Sequence, residues 1–455
     1  MKKSLLILFT LLPPLILLLL RPFGMDGRQS AILAALILTI LWWVSGAVER
    51  TAASVFLLAV FFLFSGAPAA TVFTFPRSEN FLMILFSFLF SQGISNSGLA
   101  DRLLQPLLGR AARSIPRLLL SMVCCSLAMI FVIPQPFSRI IILSAIYSSF
   151  FDRLPCVLER RSLKPVLMLG LFLSAVLADM LLLRGDIILN GALVSMGGVA
   201  MDEGTWIRYM FVPTAVLLLL ALVLFALVFR RELRGYRCSP ADLPSAPKAP
   251  LTRREKGCLV FIVCIVVLWA TEDLHGISGT LTVIAGTALM FLPGLGLLGL
   301  HDLKSVNLKL LVFLTAAFAI GGVLKSCGVA DILFSRFMFL FPETFSLGYI
   351  AVVLLTCIVL HMVLGSNVTT MSVVVPGLMT IGAGVAPPLI LLFLIYIAIC
   401  GHFILPFHHV MLLLGEGKGY YGTSHMVRLG IPLTVLILLC AILVYMGWWQ
   451  LLGLL

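Results

Sequence analysis

The chain reads as an all-α polytopic membrane protein, with about eleven transmembrane helices plus two re-entrant hairpins in two inverted repeats. Three observations predict this. Hydrophobic residues make up 61% of the chain and charged ones 11%, where a soluble domain carries roughly a quarter charged residues. The apolar residues run continuously instead of alternating, which is the helical pattern in lipid and not the barrel pattern. The second half also repeats the first at low fidelity. Phe81 to Leu103 aligns with Leu311 to Leu333, and Asp331 falls 230 positions after Asp101. Phe88/Phe318, Gly98/Gly328, Ala100/Ala330, Asp101/Asp331 and Leu103/Leu333 coincide. Apolar segments align easily by chance, so the weight rests on the Gly-x-Ala-Asp corner.

From the N-terminus, Lys2 and Lys3 precede the apolar run Leu5 to Leu20, which Pro13 and Pro14 interrupt. No small-x-small cleavage pattern follows before Arg21, so the run is expected to remain as a first span. Spans are expected at 4–20, 30–48, 52–72, 80–98, 165–195, 205–229, 258–271, 279–297, 308–325, 388–414 and 429–448. The stretches 118–150 and 343–377 are broken in the middle by Pro or Gly. Each is long enough to enter and leave the bilayer on one side as a hairpin. Arg230 to Gly257, rich in Pro, Ser, Arg and Lys, reads as a basic linker. It divides 1–229, an N-terminal span plus the first repeat, from 258–455, the second, inverted repeat.

The net charge of +12 does not indicate nucleic-acid binding, because the Lys and Arg residues sit in short loops, where they set topology. Arg102, Arg110, Arg113 and Arg117 form one group, and Arg153, Arg160, Arg161 and Lys164 the next. The linker adds Arg230, Arg231, Arg234, Arg237, Lys248, Arg253, Arg254 and Lys256. If 118–150 is a hairpin, all three groups fall on one side, which the positive-inside rule makes cytoplasmic. The stretches 326–342 and 378–387 then fall outside and hold only Arg336. An odd number of elements before the duplication makes the repeats inverted. The ten cysteines are scattered and show no metal-ligand spacing, so they read as small packing residues. No cofactor is expected beyond a possible bound sodium ion.

Four groups of residues could carry chemistry. The first is Gly365-Ser366-Asn367-Val368-Thr369-Thr370, in the break of the second hairpin. A polar run at mid-membrane survives only if protein, water or a ligand satisfies its backbone. Ser366, Asn367 and Thr370 offer oxygens for a small hard cation, and the helix N-terminus that follows suits an anion. The alternative is a kink whose hydroxyls bond back to the preceding turn. The second group is Gln135-Pro136-Phe137-Ser138-Arg139 in the first hairpin. Gln135, Ser138 and Arg139 are candidate substrate contacts, since a guanidinium suits carboxylate, sulfate or phosphate. Alternatively, Arg139 snorkels to the surface or pairs with Asp179 or Asp186. The third is Asp179 to Asp186, with Arg184 as a substrate contact and the two aspartates as ion or proton carriers, or else a structural ion pair. The fourth is Gly401-His402 and Pro406-Phe407-His408-His409. His408 and His409 could donate to an anion or carry a proton, or cap free carbonyls while neutral. His361 is expected only to pack, and Glu416-Gly417-Lys418-Gly419 to be a cytoplasmic turn.

Ser366-Asn367 followed by Thr370, at a hairpin tip in a duplicated bundle, resembles the Ser-Asn-Thr motif of the divalent anion–sodium symporters. These are the dicarboxylate/sulfate permeases of the ion-transporter superfamily. Gly328-Val329-Ala330-Asp331 closing a membrane helix, and Trp448-Trp449 near the end, fit the same pattern. The similarity runs from about residue 30 to the C-terminus. The resemblance implies transport of dicarboxylate, citrate or sulfate and a sodium site at each hairpin tip. It also implies a shared anion between the tips, and a homodimer whose transport domains slide past a scaffold. Three departures stand against it. Val368 replaces a position of the motif and removes a hydroxyl. Gln135 to Arg139 stands where the motif should recur. The family's Thr-Pro-Pro-Asn pattern is absent near Asp186, and histidines replace its counterpart at 401–409.

The expectation is therefore a secondary active transporter of a small anion, coupled to sodium or protons, of elevator type. It would be multi-pass in a plasma membrane (the inner membrane of a bacterium) and homodimeric, with lipid around it and no nucleic-acid partner. The ion-coupling candidates are Asp179, Asp186, Ser366 and Asn367. A cation/proton exchanger using Asp179 and Asp186 is the alternative. An enzyme such as a glycan ligase is disfavoured, since no long outward loop and no Ser/His/Asp array is present.

Overall fold

A computed structural model describes residues 2–98, 108, 111–133, 135–160, 162–236, 238, 250–293 and 295–455. These residues are helical, with no strand among them. The first half opens with α1 (Lys2–Leu20), α2 (Gly27–Ser45), α3 (Arg50–Phe64) and α4 (Glu79–Ser97). A hairpin follows, α5 (Ile115–Val132) and α6 (Pro136–Phe151). Then come a broken helix, α7 (Leu163–Asp179) and α8 (Leu189–Gly197), and the long α9 (Glu203–Val228). The second half runs in the same order: α10 (Arg253–Ala270), α11 (Gly279–Met290), α12 (Leu308–Ser326) and the short α13 (Val329–Phe337). A second hairpin, α14 (Leu347–Leu364) and α15 (Asn367–Ile381), precedes a second broken helix, α16 (Pro388–Cys400) and α17 (Val410–Gly417). The last helix is α18 (Thr423–Leu451).

The sequence sets several of these ends twice. Capping boxes open α2 at Asp26/Gln29 and α10 at Thr252/Glu255. In each, two orphan N–H groups are satisfied reciprocally. Ser78 and Asn307 cap α4 and α12, and both helices are followed by a glycine at positive φ, Gly98 (67°) and Gly328 (75°). A left-handed residue closes a helix, and glycine adopts it without strain. The matching Ala100, Asp101 and Leu103 lie outside the described residues, as do Arg102, Arg110, Arg161, Arg237 and Lys248. Two helices stop earlier than the expected spans 52–72 and 279–297. Ser65-Gly66-Ala67-Pro68 ends α3, and Pro293 follows α11 closely. Pro at these points cannot continue a helix.

Packing is reciprocal between halves. α3 lies on α12, and α11 on α4. Each hairpin clasps its own broken helix, α5 and α6 on α7, and α14 and α15 on α16. The second limb of each broken helix then crosses to the other hairpin, α8 onto α15 and α17 onto α6. α7 is buried continuously over 166–179 and α16 over 390–400, so these limbs form the middle of the bundle. A helix that is apolar all round belongs there.

Among the described residues, five helices, α5, α9, α12, α14 and α18, are long and apolar enough to cross a membrane. On α9 and α18, Leu219, Val223, Leu227, Ile431, Val435, Leu439 and Leu443 form exposed apolar stripes. The inner faces of these two helices meet where Thr214 and Tyr445 hydrogen bond at 2.8 Å. A π-turn at Ile207–Phe211 loosens the carbonyls of Arg208 and Tyr209, which accept from the indoles of Trp448 and Trp449 at 2.9 Å each. The described parts of the basic stretches touch one another. Arg160 donates to the Arg234 carbonyl at 2.8 Å, and Tyr236 to that of Ala112 at 2.8 Å. Arg428 pairs with Glu232 at 2.5 Å.

Candidate functional site

Two breaks sit at the centre of the bundle, and they are satisfied in different ways. Between α7 and α8 the chain leaves the helix over residues 180–188, freeing carbonyls that protein groups then take up. Asn190 donates to the carbonyls of Leu182 and Leu183 at 3.0 Å each, and to that of Asp179 at 3.4 Å. Asn190 is itself held by the Tyr396 hydroxyl of α16 at 2.6 Å. The Trp206 indole takes the Met180 carbonyl at 3.1 Å. Glu203 accepts from the backbone N–H groups of Leu183 (3.1 Å) and Arg184 (3.2 Å), and pairs with the Arg184 side chain at 3.1 Å. Asp186 accepts from Ile188 and Leu189 at 3.0 Å each. Gly185 packs so close that a Cβ there would collide with the Asp179 carbonyl.

Arg139 joins this break to the first hairpin. Its guanidinium donates to Asp179 at 2.9 Å, to the Ile133 carbonyl at 2.9 Å and to the Gly185 carbonyl. Gln135, the residue before α6, caps that helix through its Oε1, which accepts from Ser138 N–H at 2.6 Å. Met411 of α17 shares a small cleft with Pro136, Arg139 and Asp179. Arg139, expected to contact the anion, instead takes the alternative of pairing with an aspartate, Asp179. Arg184 faces Glu203, which the sequence analysis did not single out.

The second hairpin tip is different. Gly365 closes α14 at positive φ (67°), and Ser366 stands at the N-cap of α15 without giving a side-chain cap. Asn367 and Thr370 are buried; the Thr370 hydroxyl has no hydrogen-bond partner, and the Asn367 amide has only the weak donor and acceptor of the Cys400 thiol beside it. The Gln135 amide nitrogen is also buried without one. Unpaired buried polar groups are rare, and each asks for an explanation. The Cys400 thiol at the end of α16 lies beside Asn367 and within electrostatic reach of Asp186. Cys400 thus links the two breaks.

Beyond α16, residues 401–409 carry the histidines. His361 of α14, expected only to pack, is at their centre: its Nδ1 meets His402 Nδ1 at 3.1 Å and its Nε2 meets the His408 carbonyl at 3.2 Å. The three rings pack at centroid distances of 4.9–5.2 Å, with His402 and His408 stacked and His361 edge-on to His402. His408 Nδ1 accepts from Ile404 N–H at 3.1 Å. His409 Nδ1 caps α17 by accepting from Met411 N–H at 3.3 Å. Both therefore accept from backbone N–H groups, whereas the role expected of neutral histidines here was to cap free carbonyls. Among the described residues, no group of three or more His, Cys, Asp or Glu residues is arranged to hold a metal ion.

Sequence reasoning missed Asn190, Tyr396, Trp206 and Glu203. The available signal was a lone polar or amphipathic side chain within or beside an apolar run.

Two clasped hairpins around broken helices in an apolar helical shell define a multi-pass membrane transporter. The chain belongs to the family described as the sodium:sulfate symporter transmembrane region, which matches residues 1–455. Its fold is similar to that of the YdaH transporter of Alcanivorax borkumensis, whose crystal structure is described as having an unusual topology. That similarity has a TM-score of 0.55 at 14% identity and covers 85% of this chain and 88% of that one. No curated protein matched in a comparison of sequences.

Proposed function

We propose that the chain is a secondary active transporter of a small oxyanion or dicarboxylate, coupled to a sodium ion held at the second hairpin tip. One observation carries the reading: the N-terminus of α15 is buried and lacks a side-chain cap, beside a Thr370 hydroxyl with no partner and an Asn367 amide met only by the Cys400 thiol. Uncapped N–H groups at a helix N-terminus favour an anion. The Asn367 and Thr370 oxygens suit a hard cation.

The first tip serves as a fixed wall. Arg139 is a permanent cation bonded to Asp179 and two carbonyls, and Gln135 caps α6, so no mobile ion is needed there. The reciprocal contacts support two inverted repeats, and the gathered arginines support a cytoplasmic basic face. Hairpins and broken helices then form the moving part of an elevator, and the dimer supplies its scaffold. The cation/proton exchanger finds less support, because Asp179 is tied to Arg139 and Asp186 to two backbone N–H groups.

The test is uptake of labelled sulfate and succinate into proteoliposomes under an imposed sodium gradient. Accumulation that collapses when the gradient is dissipated, and that Asn367→Ala abolishes, is expected. Uptake indifferent to sodium, or no uptake of any oxyanion or dicarboxylate, contradicts it.

A further inference from the structure

The hydrogen bonds of the imidazole cluster fix which nitrogens carry protons. A carbonyl oxygen only accepts, so His361 Nε2, at 3.2 Å from the His408 carbonyl, bears a hydrogen. A neutral His361 then has a bare Nδ1. The 3.1 Å contact between His361 Nδ1 and His402 Nδ1 must be donated by His402. With its proton on Nδ1, His402 presents a lone pair at Nε2. That atom is buried, with no hydrogen-bond partner, in a residue only 1% exposed. His408 is set the opposite way, because its Nδ1 accepts from Ile404 and its remaining proton sits on Nε2.

His402 lies two residues beyond Cys400, whose thiol flanks Asn367. The groups around it are few. From α14 comes His361, and from the turn itself His408 and His409. The Cys400 thiol, two residues earlier in the chain, lies beside the uncharged Asn367 of α15 and within reach of the Asp186 carboxylate. α18 presents Gly430 and Ile437, neither of them ionisable.

We propose that His402 Nε2 is a proton-binding site, and that a proton taken there travels as a second coupling ion. The proton adds to the lone pair of Nε2 without breaking any bond. The resulting imidazolium still donates from Nδ1 to His361 and gains one new donor. A positive charge at His402, two residues beyond the Cys400 thiol that flanks Asn367, favours an anion bound at the α15 tip, and the bound anion in turn favours the proton, because linkage is reciprocal. The transport role rests on the reading above, whereas the protonation site does not.

The test is nitrogen NMR of histidine-labelled protein in lipid nanodiscs, titrated from about pH 8 downward until the protein unfolds in acid. The His402 signal is identified by its loss in His402→Asn, whose amide keeps a donor toward His361. At the alkaline end His402 is expected to carry its hydrogen on Nδ1. It is expected to become imidazolium before His361, His408 or His409. His402→Asn is expected to remove that step while the other three signals stay in place. The inference falls if His402 holds its proton on Nε2 at the alkaline end, if another of the four protonates first, or if none does before unfolding. The spectrum needs no transport, so failed uptake would leave this result standing, and the reverse.

Discussion

Arg139→Met is the most informative perturbation of the first break. Methionine keeps much of the side-chain length but removes the guanidinium. Asp179, whose side chain is 6% exposed, then loses its ion-pair partner, and the Ile133 and Gly185 carbonyls lose their donor. Removing one member of a buried ion pair costs about 3–5 kcal/mol. Each orphaned buried acceptor adds about 1–3 kcal/mol where water cannot reach it. Water entry or neutralisation of Asp179 limits the sum, so a loss of about 4–6 kcal/mol is expected. Replacing both partners by apolar groups avoids the uncompensated charge. Arg139→Met/Asp179→Leu is therefore expected to be more stable than Arg139→Met, with a coupling of about 2–3 kcal/mol. The assay is equilibrium unfolding in mixed detergent–denaturant micelles for wild type, both single variants and the double. An Arg139→Met protein within about 1 kcal/mol of wild type, or strictly additive variants, would refute the argument that this guanidinium holds the break closed.

Other consequences follow from the same geometry. Gly185→Ala forces a Cβ against the Asp179 carbonyl backbone and is expected to cost about 3 kcal/mol or more, measured in the same unfolding assay. Tyr396→Phe strands the Asn190 side-chain oxygen and is expected to cost about 1–3 kcal/mol. Outside the membrane, the hydrogen bond from Arg428 holds the Glu232 carboxyl below its ordinary range. A depressed carboxyl stabilises the folded state above its unfolded pKa, and that contribution fades as pH falls through the folded value. Because the pair is partly exposed, Glu232→Gln is expected to cost only about 0.5 kcal/mol at neutral pH and nothing at about pH 3, measured by thermal unfolding.

Much of the fold was legible from patterns that lipid enforces. Continuous apolar runs gave the helices, Gly365 and Pro136 marked the hairpin turns, and Gly185 and Gly401 to Pro406 marked the interrupted helices. The site was legible only as positions. A charge at 139 inside an apolar stretch signals a partner, but its carbonyl partners at 133 and 185 exist only once the backbone has turned. Arg184 and Glu203 are separated by a broken limb, so no helical spacing pairs them. Asn190 sits alone among apolar neighbours and looked like a tolerated polar residue, although it closes three carbonyls and bonds to Tyr396, 206 positions away. The histidines were visible as a group. His361, contributed by α14 of the second hairpin some forty positions earlier, was not, because it joins them only through tertiary packing.

The account turns on the second hairpin tip being left unfilled for a solute. The direct measurement is thermal unfolding of wild type and Asn367→Ala in sodium sulfate and in a choline salt of the same ionic strength. Wild type is expected to gain about 2.7 kcal/mol at a hundredfold excess over the dissociation constant. Asn367→Ala should match or exceed wild type in choline and gain nothing from sodium sulfate. A variant that is weaker in choline yet fully stabilised by the salt would show that Asn367 holds the fold and not the cargo.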